Sequence, residues 1–171
     1  MGLRPARIDR KLDKRPYTRS AKKVHKKNFI KGIPGVKVNK FNMGQTTGEF
    51  DLTYSLVPTK DVQIRHNAIE AFRVSANSYM RKMTGTEYHI KVRVYPHNVL
   101  REHAQAAVAQ ADRFYDGMRK PFGKPTGRAS RVKEGQPVLT IRTNKKHEAV
   151  VKEAIRRAGM KIPVGFRTVL E

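Results

Sequence analysis

The sequence contains no cysteine, and its longest apolar runs, such as residues 106–109, are very short. The absence of cysteine excludes a disulfide scaffold, a zinc site with cysteine ligands and a thiol nucleophile. A transmembrane helix needs about 20 apolar residues, and a signal peptide needs an apolar stretch after its basic start. Neither pattern occurs in this sequence, so we expect a cytoplasmic protein with no membrane partner.

Acidic residues are also scarce, because 14 Asp and Glu stand against 37 Lys and Arg and leave a net charge of +23. The excess is concentrated in two places. Residues 1–31 contain twelve cations and two acids, and residues 117–133 contain six cations and no acid. A single charged run is often only a solvated surface, but two separated runs favour a partner with dense negative charge. Nucleic acid is the first candidate.

Sixteen of the eighteen cations in these two runs are the predicted RNA-binding residues, since guanidinium groups bind phosphate oxygens through two hydrogen bonds and lysines supply point charges. The predicted set is Arg4, Arg7, Arg10, Lys11, Lys14, Arg15, Arg19, Lys22, Lys23, Lys26, Lys27, Arg119, Lys120, Lys124, Arg128 and Arg131. Residues 1–31 lack periodicity, and we expect an extended basic arm that becomes ordered on its partner. Residues 32–171 are expected to form a single domain.

Hydropathy patterning predicts an α+β domain, a compact mixed or antiparallel sheet sandwich with two helices. Three- and four-residue spacing predicts a helix from Asp61, its expected N-cap, to Met83, with Gly85 as its end. A second helix is expected to begin after the cap Asn144 and to end at Gly159. Alternation of period two predicts strands, with a polar turn at 42–48. The predicted strands lie at 36–39, 50–56, 88–94, 138–142 and 166–170.

Two segments do not fit this pattern. Residues 101–113 are rich in alanine, which favours a helix, yet they offer little apolar surface for docking and are equally compatible with a mobile excursion. Residues 117–135 carry glycines and prolines among six cations, which favours a long basic loop that approaches its ligand closely. Phe114, Tyr115 and Phe122 interleave with these cations and offer stacking faces for bases.

The sequence contains no complete catalytic or metal-binding motif. Pro125 follows Gly123 and Lys124 where a phosphate-binding loop requires Ser or Thr. The six histidines include no pair at i,i+4, so no metal site is expected, and no nucleophile elbow occurs. We therefore expect no cofactor and no small-molecule substrate. An RNA-modifying enzyme that uses Asp112 or Asp116 beside the basic loop is the catalytic alternative.

One stretch and several shorter motifs resemble a known family. The stretch runs from Lys91-Val92-Arg93-Val94-Tyr95-Pro96-His97-Asn98-Val99-Leu100-Arg101 through Ala111-Asp112-Arg113 to residues 117–132. Arg4-Pro5-Ala6-Arg7, Pro16-Tyr17, Ile33-Pro34-Gly35-Val36-Lys37 and Ile141-Arg142-Thr143 match as well. Together they resemble the large-subunit ribosomal protein family called L-sixteen in bacteria and L-ten-e in archaea and eukaryotes. The long C-terminal extension of eukaryotic members is lacking, which points to the archaeal type.

The resemblance implies a non-enzymatic component that binds large-subunit ribosomal RNA near the central protuberance and helps to position A- and P-site tRNA. It also implies neighbouring ribosomal proteins as partners and a role in late subunit assembly. Residues 117–131 would correspond to the RNA-binding loop of the family, and residues 101–113 to the flexible loop near the peptidyl-transferase region. The predicted tRNA-proximal residues are Arg101, His103, Gln105, Gln110 and Arg113. A free-standing architectural nucleic-acid binder is the remaining alternative.

Overall fold

The computed structural model describes residues 6–8, 12, 30–103 and 123–171. Within these residues the chain forms eight strands in two antiparallel sheets and two α-helices, which confirms the predicted α+β sandwich. The strands are β1 (Asn42–Gly44), β2 (Leu52–Pro58), β3 (Val62–Arg65), β4 (Tyr88–Val92), β5 (Asn98–Glu102), β6 (Lys124–Val132), β7 (Leu139–Thr143) and β8 (Phe166–Leu170). The helices are α1 (His66–Thr84) and α2 (Glu148–Gly159), the latter preceded by a single 3-10 turn at Lys145–His147.

The two sheets share one core with the helices. The larger sheet has the order β1-β4-β7-β2-β8, and the smaller sheet has the order β3-β6-β5. Helix α1 packs on α2, on β4 and on the smaller sheet, while α2 packs on β2, β7 and β8. Phe72, Ile90 and Ile155 are completely buried where these elements meet. Each such side chain contributes about 1.5–3 kcal/mol by leaving water, so the amphipathic stripes seen in the sequence account for the packing.

Helix α1 begins later than predicted. Val62 and Ile64 are buried and alternate with Gln63 and Arg65, and residues 62–65 form β3 rather than the first helical turn. Asp61 is therefore not the N-cap, and its carboxylate instead accepts a hydrogen bond from the backbone N–H of Glu134 at 2.9 Å. The predicted end at Gly85 is confirmed, with φ of 65° and its N–H bonded to the carbonyl of Arg81.

The predicted strand at residues 36–39 is wrong, and the predicted turn at 42–48 is wrong for residues 42–44, although residues 45–48 do lie outside the strands. Val38 is buried in the core without belonging to a strand, and β1 forms at Asn42–Gly44, where it pairs with β4. Gly44 has φ of 80°, and a Cβ built there would lie 2.1 Å from the carbonyl oxygen of Tyr88. Glycine therefore permits a contact that alternation of apolar residues does not reveal.

The predicted basic loop at residues 117–135 is partly wrong, because Lys124–Val132 forms β6, the central strand of the smaller sheet. Proline lacks an N–H and is normally excluded from central strands except at bulges. Pro125 is accommodated because the register between β5 and β6 shifts at Leu100/Arg101, opposite this proline. The remaining strand bounds differ from the predicted ones by a few residues, and β8 matches its prediction.

Candidate nucleic-acid interface

Only some of the predicted RNA- and tRNA-binding residues lie in the described part of the chain. These are Arg7, Arg101, His103, Lys124, Arg128 and Arg131. The other predicted residues lie outside the described residues, namely Arg4, Arg10, Lys11, Lys14, Arg15, Arg19, Lys22, Lys23, Lys26, Lys27, Gln105, Gln110, Arg113, Arg119 and Lys120. The three stacking candidates Phe114, Tyr115 and Phe122 lie outside them as well.

Strand β6 carries three of the predicted cations in three different environments. Lys124 is exposed at the start of the strand, opposite Glu102. Arg128 is 8% exposed, and its Nε donates a hydrogen bond to the carbonyl of Pro96 at 3.1 Å. Arg131 is partly buried, and its Nη2 donates to the carbonyl of Leu12 at 2.8 Å. Of the three, Lys124 therefore presents the most accessible charge.

The described residues of the N-terminal basic segment are hydrogen-bonded to the smaller sheet. The backbone N–H of Gln63 donates to the carbonyl of Ile8 at 2.8 Å, and its side-chain Nε2 donates to the carbonyl of Arg7 at 2.9 Å. The bond from Arg131 to Leu12 adds a third point of attachment. The Arg7 side chain stays exposed because only its backbone is used. These bonds join the segment that carries Arg7 to the sheet that carries Lys124. The two cations come from separate charged runs of the sequence.

A buried polar pair supports this attachment. Gln63 is 2% exposed, and its Oε1 accepts a hydrogen bond from Nδ2 of Asn98 in β5 at 2.5 Å. A buried amide that lost these partners would cost about 1–3 kcal/mol. Gln63 was not among the predicted site residues, and only its polar character within an otherwise apolar strand, between Val62 and Ile64, could have singled it out.

Aromatic rings stand next to Arg128. The rings of Phe41 and Tyr95 stack with centroids 5.6 Å apart, and the His97 ring lies 4.6 Å from that of Tyr95. The guanidinium of Arg128 lies 5.7 Å from the Tyr95 ring centroid. Tyr95 remains 38% exposed, which leaves part of its ring available for a base. The sequence prediction missed this cluster, whose only signal was the position of Tyr95 between Arg93 and His97.

His66, whose pKa is influenced by Arg128, has an environment that disfavours its charged form. His66 is 7% exposed, and burial, followed by the charges of Lys37, Arg65 and Arg128, lowers its pKa. A hydrogen bond with the backbone of Gly35 opposes this effect only in part. Among the described residues, no group of three His, Asp or Glu side chains is placed to hold a metal ion. In the same part of the chain, no helix has the length and apolarity to span a membrane.

The fold and the charge distribution define a small basic α+β protein in which a cationic N-terminal segment is joined to a sheet that carries further cations. The chain belongs to the family of ribosomal proteins L16p/L10e, whose model matches residues 13–169. This membership confirms the predicted family and the prediction of a non-enzymatic ribosomal protein. The RNA-modifying enzyme is therefore set aside.

Similar proteins from archaea cover almost the whole chain. The protein named large ribosomal subunit protein uL16 of Methanocella arvoryzae is 48% identical over 100% of this chain and 96% of its own length. The proteins of the same name from Staphylothermus marinus and Archaeoglobus fulgidus are 46% and 44% identical, again over 100% of this chain, and over 95% and 94% of their own lengths. The predicted archaeal type agrees with these relatives.

Proposed function

We propose that this protein is a structural component of the large ribosomal subunit in the cytoplasm, where it binds large-subunit ribosomal RNA near the central protuberance. The similarity to archaeal large-subunit proteins over the full chain supports the assignment to this subunit. Contact with RNA follows from the charge of +23, for which the phosphates of a polyanion are the natural counterpart.

The observation that carries the RNA-binding part is the attachment of the basic N-terminal segment to the smaller sheet. Hydrogen bonds from Gln63 and Arg131 fix residues 7, 8 and 12, so the segment is held to the body at defined points. A fixed origin reduces the conformational entropy that the segment loses when it binds along RNA. Phosphates neutralised by Arg7, Lys124 and the neighbouring cations release counterions, and this release supplies the affinity.

The strand ends at the other edge of the smaller sheet support the proposed tRNA-positioning role. Glu102 and Lys124 are register partners, so the described residues on either side of 104–122 lie next to each other. A Cβ on Gly123 would lie 2.3 Å from the carbonyl carbon of Glu102, so glycine allows the two chain ends to approach closely. The predicted tRNA-proximal residues Arg101 and His103 lie at these adjacent chain ends. We extend the proposal to A- and P-site tRNA, to neighbouring ribosomal proteins and to late subunit assembly on this ground and on the family resemblance.

The RNA-binding proposal is tested with the double variant R7Q/K124Q. Binding to a transcript of archaeal large-subunit ribosomal RNA is measured over a series of salt concentrations. Each lost phosphate contact removes about 0.7–0.9 from the log-log slope of affinity against salt, so the slope falls by about 1.4–1.8. The backbone carbonyl of Arg7 is retained in this variant, so attachment of the segment is not the quantity that changes. A slope equal to that of the unaltered protein contradicts the proposal.

Residence in the subunit is tested by sedimentation of a cell extract on sucrose gradients at low and high salt. Co-migration with the large subunit that survives high salt supports an integral component. Recovery only in the soluble fractions, with equal affinity for DNA and RNA, supports the architectural binder instead. For the tRNA role, subunits that carry Q105A/Q110A/R113A are expected to incorporate the protein normally and to bind P-site tRNA more weakly.

A further inference from the structure

The larger sheet has one face covered by the helices and one face turned away from them. Tyr54 and Tyr88 point to the helices, because their hydroxyls donate to Glu148 of α2 and to Asn77 of α1, both at 2.8 Å. The Phe166 ring points the same way and lies against Gly159 at the end of α2. Side chains alternate along a strand, so the residues between these positions lie on the opposite face.

That opposite face carries cations on three strands or their continuation, namely Lys91, Arg93, Arg142 and Arg167. All four side chains are exposed. In the register of the sheet, Arg142 stands opposite His89 and Thr53, Lys91 stands opposite Thr140, and Arg167 stands opposite Val57. Within the part of the chain that the structure describes, none of the four forms an ion pair. One acid on this face is Glu171, which accepts a hydrogen bond from Ser55 at 2.6 Å.

The centre of this face is polar, and the environment of its histidine favours the neutral form. His89 is 9% exposed, and its buried Nε2 has no hydrogen-bond partner among the described residues. Burial, with the nearby charges of Arg142 and Lys91, lowers the pKa of His89. Ser55 and Thr140 pair across the strands through their hydroxyls at 3.0 Å. The positive charge of the face therefore comes from lysine and arginine and persists at neutral pH.

The cationic face continues into the interface described above. Lys91, Arg93 and Tyr95 are exposed while Val92 and Val94 are buried, so the three exposed side chains follow one another on one side of the chain at about 6.6 Å intervals. Tyr95 in turn contacts Phe41, His97 and Arg128. A polyanion that reaches Tyr95 therefore meets Arg93 and Lys91 next.

We propose that Lys91, Arg93, Arg142 and Arg167 form a second RNA-contacting surface, which holds the sugar-phosphate backbone of large-subunit ribosomal RNA on the face of the larger sheet away from the helices. This inference rests on the proposed RNA-binding function. Charge complementarity and continuity with Tyr95 favour RNA as the occupant. Backbone contacts suffice here, since a row of lysine and arginine side chains reads charge and shape rather than sequence.

The test compares K91Q/R142Q with a control of equal charge change, K60Q/K161Q. Lys60 lies in the turn between β2 and β3 and Lys161 follows α2, and both are exposed and outside the strands of the larger sheet. Affinity for the ribosomal RNA transcript is measured over a salt series. The sheet variant is expected to lower the log-log slope by about 1.4–1.8, and the control is expected to leave it unchanged. Equal slopes in the two variants overturn the inference.

A second measurement uses the unaltered protein, so it does not depend on how a variant folds. Lysine acetylation is compared between the free protein and its binary complex with the same transcript. Lys91 is expected to become several-fold less reactive in the complex while Lys60 stays reactive. Protection of Lys91 only in whole subunits, and not in the binary complex, overturns the inference and indicates a protein neighbour. Failure of the unaltered protein to bind the transcript refutes the proposed function itself, whereas loss of binding confined to R7Q/K124Q refutes only the second surface.

Discussion

The side-chain amide of Gln63 donates a hydrogen bond to the backbone carbonyl of Arg7 over 2.9 Å, from a residue that is only 2% exposed. This bond joins the basic N-terminal segment to the core of the domain. The segment predicted to become ordered on its partner is thus already attached to the protein at this point. One buried side chain therefore links the segment proposed to bind RNA to the packing of the domain.

Replacing Gln63 is expected to destabilise the fold. In Q63A, the Nδ2 of Asn98 loses its acceptor and the carbonyl of Arg7 loses its side-chain donor. Two such losses at a buried site lower the free energy of unfolding by about 2–4 kcal/mol. Urea denaturation measures the change. The control Q45A removes an exposed amide and is expected to stay within about 0.5 kcal/mol of the unaltered protein. Similar values for Q63A and Q45A would show that the buried network contributes nothing.

Removing residues 1–27 is expected to leave both sheets and both helices folded but less stable. The core side chains lie in residues 38–162, so the hydrophobic packing is retained. The carbonyls of Arg7, Ile8 and Leu12 are lost, which leaves Gln63 and Arg131 without these acceptors. Circular dichroism is expected to show native secondary structure with a lower Tm. A chain that is unfolded after truncation would contradict the separation of arm and domain.

Gly44 and Gly135 have nearly equal φ angles, so alanine substitutions at these two positions separate the cost of a crowded Cβ from the cost of left-handed backbone strain. Gly44 has φ of 80° and Gly135 has φ of 77°, but a Cβ on Gly44 meets the Tyr88 carbonyl at 2.1 Å, whereas one on Gly135 meets nothing within 4 Å. G135A is expected to cost about 1–2 kcal/mol from the left-handed backbone alone. G44A is expected to cost more than G135A, because β1 must also move away from β4. Equal Tm values for the two variants would rule out the crowding.

The carboxyl group of Glu153 is expected to titrate at an unusually low pH. Hydrogen bonds from Arg156 at 2.7 Å and from Arg157 at 2.7 Å lower the pKa of Glu153 to about 2. Because the pKa is lowered in the folded protein, the stabilisation is present above the ordinary pKa of glutamate and is lost as the pH falls toward 2. Carbon-13 NMR of the carboxyl group measures this titration. In R156Q/R157Q the pKa is expected to return toward its ordinary value, and a value that stays low would exclude the arginines as the cause.

Substitution of Tyr95 tests whether its exposed ring stacks on a base. Y95L is expected to weaken binding of the ribosomal RNA transcript by an amount equivalent to about 1–3 kcal/mol, the usual value of one aromatic-base stack. Y95F keeps the ring and is expected to bind almost normally. Loss of affinity in both variants would assign the effect to the hydroxyl group instead. Unchanged affinity in both would leave Tyr95 with a packing role beside Phe41.

The sequence predicted the elements whose signal is local. The end of α1 at Gly85, the core of β4 and the whole of β8 follow from periodicity and glycine placement, and the structure has them there. Strand β6 was predicted as a loop, because its glycines and proline are tolerated only through pairing with β3 and β5, whose residues are distant in sequence. The local composition of residues 124–132 does not reveal their pairing with these distant strands.

Charge alone predicted which cations of the candidate site are exposed, but it did not predict the contacts that position them. Arg7 and Lys124 are exposed cations, as the charge runs suggested. The burial of Arg128 against Pro96 and Tyr95, and the attachment through Gln63, depend on tertiary contacts. The cations of the sheet face were overlooked because Lys91, Arg93, Arg142 and Arg167 are scattered singly along the chain and meet only through the sheet register.

The strand pairings also determine when the protein can fold during its synthesis. Among the described strands, every pair is formed by segments that are distant in sequence. Strand β2 can complete its pairing only after both β7 and β8 have been synthesised. Such topology folds slowly, because the cost of closing long loops precedes the gain from pairing. A nascent chain with β2 but not yet β7 exposes unpaired strand edges, which favour aggregation. We therefore expect the newly made protein to depend on chaperones, or on early contact with its RNA, until its last strand has left the exit tunnel.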